Sequence, residues 1–359
     1  MTNSPFEIKI FDMYRLEDYD YYLPKHLIAQ YPSPKREDCR LMIVNRGSRE
    51  IIHTNFSNIT DYLNENNILV INDTKVIPAR LFGRKETGGK VEVLLLEFDP
   101  EKARSSIFEA RCLIKASRRP KEGSYIFFQK GIKAKVNGYR DGKAQIVFES
   151  EMPFIEALKE IGRMPLPPYI KRDITPEDSF NYQTIYAKRP GAIAAPTAGL
   201  HFSARVLDAL KRKGIGIVHI TLHVGYGTFI PVKVSDIRKH KLEGEPFEVS
   251  EEAERAINNG IKEGKEIIAV GTTTTRVLEY LATKYGRVIA KKGICDLFIY
   301  PGYKFKVIRG LITNFHLPKS TLIMLVCAFA DRDLILKAYK EAIDKKYRFY
   351  SYGDAMLII

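Results

Sequence analysis

Short runs in which apolar and polar residues alternate fill one continuous part of the chain, between residues 79 and 161. Five of these runs are divided by glycine, proline or Asp-Gly signals: KVEVLLLEF, SIFEARCLI, SYIFFQ, IKAKVNGY and KAQIVFE. A period of two is typical of strands that bury one face. The dipeptides Gly88-Gly89 and Asp141-Gly142 favour tight hairpins, which need residues that tolerate positive φ. The pattern predicts a small antiparallel β-barrel over 79–161.

On both sides of this region, buried strands alternate with amphipathic helices. The apolar run NILVIND, from Asn67, predicts a buried strand. SARVLDALKRKG predicts a helix with Ser203 as its N-cap and Gly214 just past its end, and a second helix is expected over 251–264. KEIIAVGTT predicts a strand that runs into a loop, TRVLEYLATKYG another helix, and GLITNFH a strand that ends in a polar loop.

The order of these elements predicts how the domains are arranged. Because one strand precedes the barrel and the helices follow it, we expect the barrel to be inserted into a larger domain. The predicted fold class is α/β, mixed with α+β features. Residues 1–78 and 162–359 form a larger strand-helix alternating domain, and 79–161 form the inserted small antiparallel β-barrel domain. The ends of strands in such alternating domains commonly hold ligands.

Composition narrows the protein class. With 359 residues, 45% of them hydrophobic, the chain is long enough for two domains. The apolar run at 322–330 is far shorter than the roughly 20 residues that cross a bilayer, and the N-terminus lacks the pattern of a signal peptide. We therefore expect a cytoplasmic protein with no membrane association. The four cysteines form no CxxC pair, which predicts buried thiols rather than a zinc or disulfide framework.

Positive charge is concentrated in one segment of the predicted barrel, residues 102–143. The net charge is +14, and between Lys102 and Lys143 twelve Lys or Arg face three acidic residues. Aromatic residues are interleaved with them, a mixture suited to phosphates and bases. The alternative is a solvated strand face above ordinary core aromatics. The candidate RNA-binding residues are Lys115, Arg118, Arg119, Lys130, Lys133 and Lys135.

Three separated segments combine His, Thr, Asn and Gly in apolar surroundings. They are GAIAAPTAGLHF at 191–202, TLHVGYGTF at 221–229 and TNFHLPKSTL at 313–322. Any one of them could be a turn with a buried histidine, but together they indicate a site. Each contains one histidine, at positions 201, 223 and 316, and an imidazole can give or take a proton near neutral pH. Thr197 and Asn314 are placed to orient such a ring.

Neither a metal nor a dinucleotide site is expected. The histidines lack the i, i+4 partner or nearby carboxylate of a zinc helix, and no glycine pattern matches GxGxxG between a strand and a helix. The segment VGTTTTRVLE is more informative, because a strand, a glycine and four threonines before a helix present N–H groups to an anion or carboxylate. Gly271, Thr272 and Thr273 are therefore candidate ligand-binding residues. The alternative is an ordinary threonine-capped helix.

Several long motifs carry a family resemblance. In chain order they are LIAQYPSPKREDCRL, NDTKVIPARL, LPPYIKR, YQTIYAKRPGAIAAPTAGLHF, TLHVGYGTF, VGTTTTRVLE, TNFHLPKSTL and YRFYSYGDAMLI. By these motifs the chain resembles the S-adenosylmethionine:tRNA ribosyltransferase-isomerase family of queuosine biosynthesis, over nearly its whole length and in the family's order.

The resemblance implies a reaction and its partners. The family transfers and isomerises the ribosyl part of S-adenosylmethionine onto 7-aminomethyl-7-deazaguanine at the wobble position of tRNA with a GUN anticodon. Epoxyqueuosine-tRNA forms, and adenine and methionine leave. S-adenosylmethionine is thus a co-substrate, and neither a prosthetic group nor a metal is implied. We expect a monomer.

The chemistry implied by the resemblance asks for particular groups. A sulfonium acidifies the adjacent C5′ hydrogen, so a positioned base is needed, and an acid near the adenine would help it leave. The family motifs place eight candidate residues. The expected catalytic residues are His201, His223, His316 and Asp354. The expected substrate-binding residues, besides Gly271, Thr272 and Thr273, are Arg80, Thr197, Asn314 and Lys319. Arg80 and Lys319 could contact phosphate or carboxylate, and Asp354 could accept hydrogen bonds from a base edge or amine.

One segment departs from the family pattern. The family's usual His-x-Met-His-x-Glu reads HKLEGE here, so Leu242 replaces the Met and Glu243 replaces the second His. This departure keeps altered activity open. The alternatives are a diverged tRNA-binding protein and an RNA methyltransferase that uses the same donor. The missing Rossmann glycine loop opposes the methyltransferase, and the cysteine spacing does not support a zinc-containing base-exchange enzyme.

Overall fold

The computed structural model describes residues 13–229 and 231–359. The strands in these ranges are, in chain order, β1 (Arg40–Val44), β2 (Ile51–Asn55), β3 (Asn67–Asn72), β4 (Thr74–Val76), β5 (Arg80–Lys85), β6 (Lys90–Leu95), β7 (Ile107–Ala116), β8 (Tyr125–Phe127), β9 (Lys133–Arg140), β10 (Lys143–Glu149), β11 (Arg189–Ala192), β12 (Gly216–Leu222), β13 (Glu245–Val249), β14 (Glu266–Val270), β15 (Lys291–Cys295), β16 (Ile308–Asn314) and β17 (Ala355–Ile358). The α-helices are α1 (Phe154–Ile161), α2 (Asp178–Asn181), α3 (Ala204–Arg212), α4 (Glu251–Lys262), α5 (Thr272–Tyr285), α6 (Thr321–Ala330) and α7 (Arg332–Asp344).

A nine-stranded mixed sheet organises the described part of the larger domain. Its strand order is β15-β13-β12-β3-β14-β16-β17-β1-β2. The central strands β12, β3, β14 and β16 are mutually parallel, so their carboxyl ends meet at one edge. All six residues of β3 are buried, as the apolar run predicts, because elements cover both faces of the sheet.

The helices begin and end close to the expected positions, with one difference. The Ser203 hydroxyl accepts from the Val206 N–H at 3.3 Å, and Gly214 has a φ of +80°, which confirms both predicted ends of α3. Helix α5 begins at Thr272, directly after Gly271, and not after a threonine loop. Gly271 is its N-cap, so the expectation of a loop there and the alternative of a threonine cap were both wrong.

The predicted barrel is present and inserted. Strands β5 to β10 close into a six-stranded antiparallel barrel in the order β10-β7-β6-β5-β8-β9, wholly within the chain between β3 and β12. Phe154 of α1 stacks on Phe108 inside the barrel, with ring centroids 4.6 Å apart. Asp141 and Gly142 have φ values of 51° and 76°, as the hairpin pattern predicts. The mixed α/β class with an inserted barrel is confirmed, and the exact boundaries 79–161 stay a prediction.

Backbone and side-chain contacts join the barrel to the sheet domain. Backbone hydrogen bonds of 3.1 and 2.8 Å pair Arg80 with Arg163 in both directions. Lys143 of β10 reaches Glu243 of the larger domain, with the Nζ 2.5 Å from the carboxylate. All four cysteines are buried and free, as expected. Among the described helices, none is both long and apolar enough to span a bilayer.

Candidate functional site

A cavity of about 510 Å³ lies beside the carboxyl ends of the central strands. Its walls come from the chain that follows β11, β14 and β16 and from the segment before β17. Loops at this edge of a parallel sheet are the usual place for a ligand, because strands end there and side chains converge. Seven of the predicted site residues line it: Thr197, Gly271, Thr272, Thr273, Asn314, His316 and Lys319.

The first turn of α5 forms one wall of this central cavity. Gly271 has φ 92° and ψ 151°, a conformation open almost only to glycine, and it turns the chain from β14 directly into the helix. The hydroxyls of Thr274 and Thr275 donate back to carbonyl oxygens four residues earlier, at 2.8 and 3.2 Å. The buried Thr273 hydroxyl has no hydrogen-bond partner among the described residues. A hydroxyl and the positive end of a helix dipole therefore face a site that suits an anion.

Asn314 is fixed from three sides at the end of β16. Its Nδ2 donates to Nε2 of His201 at 3.0 Å and to the Tyr350 carbonyl at 3.1 Å, and its Oδ1 accepts from the Thr197 hydroxyl at 3.0 Å. Nε2 of His201 is thus an acceptor, and the proton on Nδ1 points to Cys39 Sγ, 3.1 Å away. Burial lowers the pKa of His201 to about 3. His201 orients Asn314 and does not line the central cavity.

His316 is the histidine that reaches the central cavity. Its Nε2 lies 2.7 Å from the Thr313 hydroxyl, and its backbone N–H donates to the Tyr339 hydroxyl at 2.9 Å. None of the hydrogen bonds found within the described ranges uses Nδ1. Burial lowers the pKa of this imidazole to about 3, so the ring is neutral at physiological pH. A neutral, firmly held imidazole with one free nitrogen can accept a proton or hydrogen bond from a bound molecule.

Two tyrosines add an aromatic wall that the sequence did not single out. Tyr169 follows Pro168 in the LPPYIKR motif, and its ring centroid is 4.3 Å from that of Tyr350. Tyr350 has a φ of +72°, which is strained for a residue with a Cβ. The Tyr350 hydroxyl is buried without a hydrogen-bond partner in the described chain. Tyr169 and Tyr350 both lie in motifs quoted above, but only the cavity lining and the left-handed backbone of Tyr350 show that their rings meet at the site.

His223 lies at the end of β12, away from the lining of the central cavity. Its Nδ1 is 2.7 Å from the hydroxyl of Thr74, the first residue of β4. Close by, the Thr221 hydroxyl donates to the buried Asp73 carboxylate at 2.6 Å. Burial is the main cause that lowers the pKa of His223. Gly191 packs so close to this ring that a Cβ there would lie 2.7 Å from it.

Two of the charged candidates, Asp354 and Lys319, are bound to other groups of the protein. Asp354 is buried and accepts from the N–H groups of Arg40 and Arg348 at 2.9 and 2.7 Å, and it does not line the central cavity. Lys319 does line it, but its ammonium pairs with Glu17 and Asp20 at 2.6 and 2.9 Å. Their expected roles in catalysis and phosphate contact stay predictions.

Arg80 lies in a second cavity of about 520 Å³, between the barrel and the larger domain. One guanidinium nitrogen donates to the Leu166 carbonyl at 2.9 Å, and another pairs with Glu92 at 3.1 Å. Its Nε is buried and has no partner in the described ranges. Pro168 borders both this interdomain cavity and the central one.

The basic barrel residues are mostly solvated. Five of the six candidates, all but Lys133, are exposed, and Lys133 pairs with Glu149 at 2.9 Å. Of the interleaved aromatic residues, Phe108 and Phe128 are core residues, whereas Phe127 is 46% exposed and accessible to a ligand.

The HKLEGE departure lies at the domain junction. Glu243 is half exposed and pairs with Lys143 of the barrel, outside the lining of the central cavity. The matching Glu245 is buried, accepts from the Gly225 N–H at 2.8 Å and pairs with Arg276. No cluster of three or more His, Cys, Asp or Glu able to hold a metal occurs in the described residues.

Comparison with known proteins agrees with this architecture. The family model described as "Queuosine biosynthesis protein" matches residues 16–358. The chain belongs to this family. A relative from Halothermothrix orenii is 50% identical over 96% of this chain and 100% of its own, and one from Syntrophotalea carbinolica is 46% identical with the same coverage. Both are named S-adenosylmethionine:tRNA ribosyltransferase-isomerase.

A solved structure extends the similarity to the fold. The crystal structure of an S-adenosylmethionine tRNA ribosyltransferase from Thermotoga maritima is 33% identical and covers 95% of this chain and all of its own, with a TM-score of 0.53. The family that the motifs indicate is therefore confirmed by both sequence and structure.

Proposed function

We propose that this protein transfers and isomerises the ribosyl part of S-adenosylmethionine onto 7-aminomethyl-7-deazaguanine at the tRNA wobble position. The products are epoxyqueuosine-tRNA, adenine and methionine. The observation that carries the proposal is that motifs shared with this family, far apart in the chain, meet around one cavity of about 510 Å³. A cavity of that size suits a nucleoside-like donor.

The donor's amino-acid end fits the start of α5. Its carboxylate would accept from the N–H groups that the first turn of every helix leaves unpaired, and from the hydroxyl of Thr273. The sulfonium would then lie near the aromatic pair Tyr169 and Tyr350, because ring faces attract cations. Asn314, held by His201 and Thr197, would fix the ribose or base by its amide.

Proton transfer falls to His316 in this arrangement. Loss of a C5′ proton next to the sulfonium creates the carbanion character that ring opening and recyclisation require. His316 lines the cavity, its Nε2 is held by Thr313, and in this arrangement its Nδ1 accepts that proton. The half-buried His223, hydrogen-bonded to Thr74, is a second proton-transfer group, on the β12 side.

The acceptor is a tRNA with a GUN anticodon, and the basic barrel supplies charge for its backbone. S-adenosylmethionine acts as a co-substrate, without a prosthetic group or metal. We propose a cytoplasmic monomer, in keeping with a substrate that is cytoplasmic tRNA.

Incubation of the purified protein with S-adenosylmethionine and tRNA tests the function. One sample carries the aminomethyl-deazaguanine at the wobble position and its control carries guanine. A nucleoside with the added ribosyl mass, together with free adenine, is expected only with the modified tRNA. A product that gains only a methyl group would indicate a methyltransferase. Binding of tRNA without any product would indicate a diverged binding protein.

A further inference from the structure

Two phenylalanine rings are exposed on the outer surface of the barrel. Phe82 of β5 is 52% exposed and Phe127 of β8 is 46% exposed. Both line a groove of about 890 Å³ together with Arg84, Lys90 and Lys115. Large apolar side chains on a soluble surface, collected in a groove, mark an interaction site.

Strand register shows how rings and charges alternate across this barrel groove. Phe82 and Arg84 are two residues apart on β5, so they share its outer face. In the strand register, Arg84 stands opposite Lys90 of β6 on one side and opposite Phe127 of β8 on the other. Phe82 is paired with Glu92, which is in turn paired with Lys115. Phe127 thus has Arg84 beside it at the spacing of neighbouring strands, about 5 Å, whereas Phe82 has Glu92 across the strands and Arg84 two residues along its own strand.

The charge of the groove favours a polyanion. Arg84, Lys90 and Lys115 are its cations, and the acid among its lining residues, Glu92, is already paired with Arg80 at 3.1 Å. A second copy of this chain, with its net charge of +14, would bring further positive charge and leave these cations uncompensated. Unpaired RNA supplies both halves of the match, because its bases stack on rings and its phosphates contact cations.

The barrel groove also continues toward the central cavity. Glu92 and Lys115 border both the groove and the interdomain cavity, which holds the Nε of Arg80, an atom with no hydrogen-bond partner in the described ranges. Pro168 then borders the interdomain cavity and the central cavity. The three spaces therefore follow one another from the barrel surface to His316.

We propose that the barrel groove binds unpaired nucleotides of the tRNA anticodon loop, with bases stacked on Phe82 and Phe127. The wobble nucleotide enters the central cavity, and an adjacent phosphate passes Arg80 and Lys115 in the interdomain cavity. The barrel thereby holds the anticodon loop, while the larger domain holds the donor. This inference rests on the proposed function for the identity of the RNA.

Binding of full-length protein to the modified tRNA, followed by fluorescence anisotropy, tests the groove. Replacing both rings, Phe82→Ala with Phe127→Ala, should weaken tRNA binding by roughly five- to hundredfold for each base that loses its platform. Phe82→Tyr with Phe127→Tyr keeps both rings and should retain affinity. Tyr285→Ala, at an exposed aromatic on the last turn of α5, is the control and should bind as the wild type does.

A cross-link locates the bound loop directly. An anticodon stem-loop carrying 5-iodouridine in its loop should cross-link on irradiation to peptides that contain Phe82 or Phe127. Cross-links confined to the larger domain, or wild-type affinity of the doubly substituted protein, would overturn the proposal. Thermal unfolding of each variant identifies any loss of affinity that comes from misfolding. If the alanine variant misfolds, the affinity of the folded tyrosine variant decides whether the aromatic rings are sufficient for binding.

The two proposals fail in different ways. If wild-type protein releases adenine with the modified tRNA but the ring variants bind normally, the groove is wrong and the function stands. If no adenine is released and yet tRNA binding depends on both rings, the groove stands and the transfer reaction is wrong.

Discussion

At the residue scale, His316 and His201 are both buried and neutral, but only His316 lines the central cavity. We expect His316→Gln to lower the rate of adenine release by about 10²- to 10⁴-fold, the usual contribution of a positioned base. Affinity for tRNA should change by less than about twofold, because the ring acts on the donor. The exposed His26→Gln is the control. Equal losses of turnover and tRNA affinity would contradict the role.

Tyr350 gives a second prediction at this scale. Its hydroxyl is buried and unpartnered in the described chain, so Tyr350→Phe should keep the unfolding free energy or raise it by up to about 1 kcal/mol. Turnover at limiting S-adenosylmethionine should fall about three- to tenfold, the value of one neutral hydrogen bond. Tyr339→Phe is the matched control: it leaves the His316 N–H unpaired and should cost about 1–3 kcal/mol of stability. A loss of stability in Tyr350→Phe would refute the prediction.

The buried histidines also predict how stability depends on pH. Their pKa values are lowered from 6.5 to about 3, so between these limits the unfolded chain binds protons that the folded chain does not. Stability is therefore complete above pH 6.5 and falls as pH drops toward 3, by up to ~1.4 kcal/mol per pH unit for each histidine. Denaturant titrations at a series of pH values give the unfolding free energy of wild type and of His201→Gln. Below pH 6 this free energy should change less steeply with pH in the variant. The interval from pH 7 to 8 is the internal control, where the two slopes should agree.

At the element scale, the two ends of α5 separate stability from ligand binding. Gly271 has φ 92° and ψ 151° at its start, and Gly286 has φ 77° at its end. Both Gly271→Ala and Gly286→Ala should cost about 1–3 kcal/mol of unfolding free energy, because each forces a Cβ into a strained conformation. Only Gly271→Ala should also weaken S-adenosylmethionine binding, measured by calorimetry, because only that end lines the central cavity. Equal binding by both variants would remove the helix start from the donor site.

At the scale of the whole molecule, the most basic segment and the donor cavity lie in different domains. The barrel segment 102–143, with twelve Lys or Arg against three acidic residues, carries most of the excess charge of a chain whose net charge is +14, while the donor cavity lies in the larger domain. We therefore expect tRNA affinity to fall steeply with salt and S-adenosylmethionine affinity to change little. Lys130→Gln with Lys135→Gln should reduce the slope of log affinity against log salt by about one for each phosphate that is no longer neutralised. An unchanged slope would separate these two lysines from the RNA path.

The sequence by itself determined the kinds of elements and the family. A period of two specified the barrel strands, the uninterrupted apolar run specified β3, and Ser203 and Gly214 specified the ends of α3. These features are local, because side-chain alternation and capping depend on neighbours within a few residues. The order of strands and helices also predicted the insertion, because the barrel strands lie in the chain between elements of the larger domain.

Only the tertiary structure decided which candidates share a site. His201, His223 and His316 look alike in sequence, yet one orients Asn314, one pairs with Thr74 and one reaches the cavity. Tyr350 is set by a left-handed backbone, which its hydrogen bond with Asn314 holds in place. Such roles depend on distances between segments that are far apart in the chain, and a local pattern carries no information about those distances. The parallel packing of β12, β3, β14 and β16 sets those distances, because it places the carboxyl ends of all four strands at one edge of the sheet.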